Sequence, residues 1–80
     1  MVARKIAARR KYLGLNSDDV AHDALINRSH YSDIERGKVM PSQFTIMKIA
    51  TVLNLNLVDL LTDAYEEVQQ FIRDVQTDEQ

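Results

Sequence analysis

Between Gly14 and Gly37 the chain reads GLNSDDVAHDALINRSHYSDIERG, and Pro41-Ser42 follow shortly after. Asn16 and Asn27 each stand just before a helical pattern, where a side-chain oxygen can accept from the unpaired backbone N–H groups of the first turn. Asp19, three residues beyond Asn16, is placed to reach back in capping-box fashion, and Leu15 and Val20 occupy the staple positions around that cap. Ile26 and Tyr31 repeat the staple around Asn27, so the second helix begins only about two residues after the first ends. The pattern prescribes a tight turn and a steep crossing.

On a helical wheel of roughly 100° per residue, Tyr31 and Ile34 fall on one side of the second helix. Arg28, Ser29, Ser32, Asp33 and Arg36 fall on the other. Val20, Ala21 and Ala24 supply the apolar side of the preceding helix, and Ala21 is small enough to let the pair cross closely. A helix clamped this way projects its polar face outward.

Gly14-Leu15, Asp18-Asp19-Val20-Ala21, Ser32-Asp33-Ile34-Glu35-Arg36-Gly37 and Pro41-Ser42 stand in the ungapped register of the Cro and lambda-repressor-like, or XRE-type, helix-turn-helix family, which this chain resembles. The likeness continues through Thr45-Ile46, Lys48-Ile49-Ala50, Leu53 and Asp59-Leu60, and so covers about residues 6–61. It implies an all-α protein, a five-helix lambda-repressor-like DNA-binding domain whose third helix enters the major groove. Carried over position by position, it puts Arg28, Ser29, Ser32 and Asp33 against base edges. Ser17, Asn27, Arg36, Lys38 and the helix start at Ser42 fall at DNA-backbone positions. Chemistry suits these roles, since arginine can grip guanine O6 and N7 together and a helix N-terminus attracts phosphate. The resemblance also pairs Arg10 with Glu35 across the contact of the first and third helices.

Four positions depart from the family text. Ser17 replaces a glutamine and reaches a phosphate more readily than a base. Leu25 replaces the turn glycine and must either adopt a left-handed backbone or reshape the turn. Arg9 stands at an apolar position of the first helix. Asp33 repels phosphate and is useful on a reading face only against a cytosine amino group.

The chain's 80 residues, 45% of them hydrophobic, suffice for one small core and an appendage. With no cysteine there is no disulfide framework or thiolate metal site, and no apolar run approaches membrane-spanning length. The first eleven residues lack the apolar centre of a secretion signal, so a cytoplasmic, nucleoid-associated location is expected. Net charge is −2, yet residues 1–56 hold nine Lys/Arg against five Asp/Glu and residues 57–80 hold one against seven, giving +4 and −6. A basic body can meet phosphate while an acidic tail faces away.

Outside the central stretch, a first helix is expected from about Ala3 to Tyr12, with Val2, Ile6 and Leu13 near one meridian. Gly37 punctuates the third helix and Ser42 caps a fourth, which Phe44, Ile46, Met47, Ile49, Ala50, Val52 and Leu53 make apolar on most sides. Asn54 suits a left-handed cap, and Asn56 with Asp59 opens a fifth helix. Beyond it, Leu61, Tyr65, Val68, Ile72 and Val75 recur at spacings of 4, 3, 4 and 3, a heptad seam widened by Ala64 and Phe71. This C-terminal amphipathic helix, residues 62–76, is expected to serve a homodimer interface through Leu61, Tyr65, Val68, Phe71, Ile72 and Val75 rather than fold back, with residues 77–80 frayed.

These features imply a sequence-specific DNA-binding transcriptional regulator that binds double-stranded DNA as a homodimer on a palindromic operator. It needs no cofactor, metal or membrane, and the text names no small-molecule or protein effector. Alternatives are an interaction module on the same scaffold that has lost DNA binding, or the DNA-reading head of a larger sensor. An enzyme is not expected, because His22 and His30 lack a partnered carboxylate motif and no phosphate-cradling glycine loop occurs. His22 reads as a helix-surface residue and His30 as a flank of the reading face.

Overall fold

Side-chain caps set where the helices begin. The computed structural model describes residues 1–78 and contains five helices: α1 (Val2–Tyr12), α2 (Ser17–Asp23), α3 (Arg28–Glu35), α4 (Gln43–Leu53) and α5 (Leu57–Asp78). The Oδ1 of Asn16 accepts from the Asp19 N–H at 2.8 Å, and that of Asn27 from the N–H groups of Ser29 and His30 at 2.9 and 3.3 Å. Ser42 Oγ accepts from the Thr45 N–H and Asn56 Oδ1 from the Asp59 N–H, both at 3.1 Å. The four expected N-terminal caps are made, each satisfying a donor that the helix itself cannot, but the reciprocal bonds of the capping boxes are not: the Asp19 and Asp59 carboxylates do not accept from the N–H groups of Asn16 and Asn56.

Left-handed residues close the same helices. Gly37 ends α3 with a φ of 73°, and Asn54 ends α4 with a φ of 52°. The α2–α3 turn resolves the question posed by Leu25, which keeps the glycine geometry at a φ of 58°. Its N–H donates to the His22 carbonyl and that of Ile26 to the Ala21 carbonyl, the paired bonds of a left-handed helix stop. Lys48 Nζ donates to the Leu25 carbonyl at 3.3 Å, tying the turn to α4. The leucine side chain itself remains 82% exposed.

One core joins the five helices. Val2 and Ile6 of α1, Val20 and Ala21 of α2, Tyr31 and Ile34 of α3, Ile46, Ile49, Ala50 and Leu53 of α4 and Leu60 of α5 are all buried in it. Several sequence expectations need correction here. Phe44 is 70% exposed and Met47 lies at the surface, so α4 buries one side rather than most. The fifth helix and the amphipathic segment after it are one continuous 22-residue helix. No glycine or proline interrupts residues 57–78, so nothing breaks the backbone ladder between them. Thr77 and Asp78 are the last residues of α5, and the remainder of the expected frayed tail, residues 79–80, lies outside the described residues.

Arg9, at its departure from the family text, gains a use. Its Nε donates to the Leu53 carbonyl at 3.0 Å, satisfying an acceptor at the C-terminal end of α4. A cation there also suits the helix dipole. Two acidic residues of α5 do the reverse for α1: Glu67 accepts from the Val2 N–H, and Asp63 lies 2.9 Å from Lys5 Nζ. The Lys5 hydrogen bond holds the Asp63 carboxyl below its ordinary pKa and raises that of the lysine. Among the described residues no helix is long and apolar enough to cross a membrane.

Candidate nucleic-acid interface

Tyr31 and Ile34 are both fully buried, so the rotation of α3 about its axis is settled by packing. Ala21 of α2 is likewise buried without remainder, which lets the two helices approach closely. A polar clamp then fixes α3 to α1. Arg10 Nε and Nη2 donate to the two carboxylate oxygens of Glu35 at 2.5 and 3.2 Å, and the Tyr31 hydroxyl donates to Glu35 Oε1 at 2.7 Å. Arg10 also reaches the Leu15 carbonyl at 3.0 Å, across the link to α2. Burial, reinforced by the bond to Glu35, pushes the tyrosine hydroxyl far above its ordinary pKa, so it stays protonated and available to donate to Glu35. The bond to Glu35 likewise raises the arginine. The expected Arg10–Glu35 pair is therefore present and extends to a third member.

With its apolar side committed, α3 turns the opposite side outward. Ser17, Asp18, Asn27, Arg28, Ser29 and Ser32 line one open cleft at the N-terminal ends of α2 and α3. Arg28 and Ser29 are exposed and Ser32 is half-buried. Asn27 has its Oδ1 occupied by the α3 cap. Asp33 is half-buried and does not line this cleft. Arg36 belongs to a different groove, along α1 and the end of α3, whose rim it shares with Arg4 and Lys11. Lys38 and Ser42 are exposed in and after the following loop, and Ser42 Oγ is already bonded to Thr45.

One feature of the cleft is invisible in the spacing of the motif. Asp18 takes Arg28 in a two-pronged grip, Nε to Oδ1 at 3.0 Å and Nη2 to Oδ2 at 2.9 Å. The residues are ten apart and meet only because the turn brings the start of α2 beside the start of α3. Among the described residues Arg4, Lys11, Arg36 and Lys38 enter no ion pair, so they carry most of the positive charge free to meet an anion.

The residues expected at a subunit interface separate into groups. Leu61, like Ala64, packs against the core of its own domain. Tyr65, Val68, Ile72 and Val75 are exposed along one flank of α5. Phe71 is also exposed but borders a groove whose other wall includes Val39, Met40 and Pro41.

An all-α bundle in which a short helix, pinned by its neighbour, offers a polar face is the architecture of a helix-turn-helix reader. The family model described as Helix-turn-helix matches residues 6–60. Over 52 residues the chain is 36% identical to the ImmF control region 10 kDa protein of Bacillus phage phi105, an alignment covering 65% of this chain and 58% of that protein. No solved structure matches the chain. The chain belongs to the XRE-type helix-turn-helix family, whose members are DNA-binding regulatory domains rather than enzymes.

Proposed function

We propose that this protein is a sequence-specific transcriptional regulator that binds a palindromic operator as a homodimer and acts through occupancy of a promoter, without chemistry. The observation carrying this reading is the division of α3 between buried Tyr31 and Ile34 and outward Arg28, Ser29 and Ser32. In this reading α3 enters the major groove, Arg28 and Ser29 meet the first base edges, and Ser32 follows one turn along. Asp33, being half-buried, is confined to a base at the far end of the contact, and a cytosine amino group is its natural partner.

Backbone contacts come from Ser17 and Asn27 at the cleft, from Lys38 and the α4 start at Ser42, and from Arg36 with Arg4 and Lys11. Such contacts position the helix and supply most of the salt-sensitive affinity. The flank Tyr65, Val68, Ile72 and Val75 pairs with a second copy, with Phe71 at its edge. Two reading helices about 34 Å apart then meet successive major grooves on one side of the duplex. A single module of this size has too little interface for useful specificity. The DNA partner places the protein in the cytoplasm with the nucleoid.

Selection of bound duplexes from a random pool tests this directly. Enrichment of an inverted repeat, with half-sites about one helical turn apart, is the expected result. A folded protein that enriches no sequence, and shows no low-salt binding to any duplex, overturns it.

A further inference from the structure

We infer that Asp18 is a specificity-determining positioning residue, which holds the Arg28 guanidinium so that it reads guanine end-on and is kept from the DNA backbone. This rests on the DNA-reading assignment of α3. Arg28 and Asp18 keep 75% and 58% of their side-chain exposure, so the pair sits in solvent and supplies little stability to the fold. Asp18 bonds no other side chain among the described residues, and the grip spans the two helices whose relative placement defines the cleft. Its consequence lies in what it leaves free.

An arginine has five N–H donors arranged as two usable edges. The Nε edge faces Asp18: the Nε–H donates to Oδ1, and Nη2 lies 2.9 Å from Oδ2 in ion-pair contact. Both Nη1–H groups and the second Nη2–H remain. One Nη1–H and that Nη2–H form the terminal edge, whose two parallel donors match guanine O6 and N7. The carboxylate thus restricts rotation of a long side chain before binding and cuts the ordering cost of the contact.

Asp18 also biases the choice of partner. To bond a phosphate through its Nε edge, Arg28 must abandon the carboxylate. To do so through its terminal edge, it must bring a negative side chain close to a negative backbone. Guanine, a neutral acceptor pair, carries no such penalty. The carboxylate therefore weakens non-specific binding while sharpening one base preference, a use of repulsion for discrimination.

The test uses the full chain and the duplex obtained by selection, with variants of that duplex at the position whose guanine preference Arg28→Ala relaxes, and a scrambled duplex. Asp18→Ala is expected to lower the guanine preference at that position about three- to tenfold and to tighten binding to the scrambled duplex. Asp18→Asn, which keeps one acceptor without the charge, is expected to fall between. In an Arg28→Ala background, Asp18→Ala should leave base preference unchanged, because the effect passes through the arginine. Asp18→Ala retaining full guanine preference, or tightening cognate and scrambled duplexes by one common factor, overturns the inference while leaving DNA reading by α3 intact. If the unaltered protein selects no duplex, the proposed function itself fails and this inference with it.

Discussion

Leu25 shows how a single residue can disobey its local preference without reshaping its surroundings. A leucine at a φ of 58° is sterically disfavoured, yet the paired backbone bonds of the turn and the Lys48 contact hold it there. Leu25→Gly should stabilise the protein by about 0.5–1 kcal/mol, since the side chain is exposed and buries little on folding. Urea unfolding would reveal it as a higher midpoint at unchanged slope. Arg28→Ala is expected to cost about 1–3 kcal/mol on the selected duplex and to relax one base position. Equal weakening on a scrambled duplex would make Arg28 a phosphate contact. Both residues bear on what was legible. The caps at Asn16, Asn27, Ser42 and Asn56 were readable because each joins a side chain to backbone three residues or fewer away. The Asp18–Arg28 and Arg9–Leu53 contacts were not, because they depend on how helices lie beside one another.

At the scale of the element, α3 is held by apolar burial on one side and by the Arg10, Glu35 and Tyr31 cluster at its end. Glu35→Ala leaves Arg10 and the Tyr31 hydroxyl without their carboxylate partner in a partly buried place. A loss of about 2–3 kcal/mol is expected, measurable by chemical denaturation. A change below half a kilocalorie would mean water replaces the carboxylate freely. The contact of α5 with α1 has its own signature in pH. Asp63 titrates below its ordinary value of 3.8, so its stabilising effect is complete above that value and is lost as pH falls through the lower, folded one. Acidification from about pH 5 to below pH 3 should loosen α5 from α1, seen as faster amide exchange in α5. Asp63→Asn should remove much of that dependence. The continuity of α5 was hidden at this scale, because Asn56 and Asp59 gave a clear start whereas the heptad seam beyond looked like a separate element. Leu61 and Ala64 belong to the core, so the heptad spacing counted residues that face two different neighbours.

For the whole molecule, the basic body and acidic α5 divide the labour that the net charge of −2 conceals. Lys38→Ala should reduce the salt dependence of binding by about one unit of log-log slope per site, on cognate and scrambled duplexes alike. Ile72→Glu, on the exposed flank of α5, should shift sedimentation toward the monomer and weaken operator binding while the α1–α4 core remains folded. The fold was legible in the sequence because its period, caps and small-residue crossing all agreed. Which exposed residues share a cleft was legible only for the start of α3, where Arg28, Ser29 and Ser32 follow one helical face. Arg36 lay on the same wheel sector yet joins the Arg4 and Lys11 groove instead, since a wheel carries no information about where a neighbouring helix ends. The central claim, that the outward side of α3 meets the duplex, is tested most directly by titrating the selected duplex into isotope-labelled protein and following backbone amide signals. The largest changes are expected from Asn27 to Asp33 and at the start of α2. Changes confined to α5, with the signals of Arg28, Ser29 and Ser32 unmoved, would contradict it.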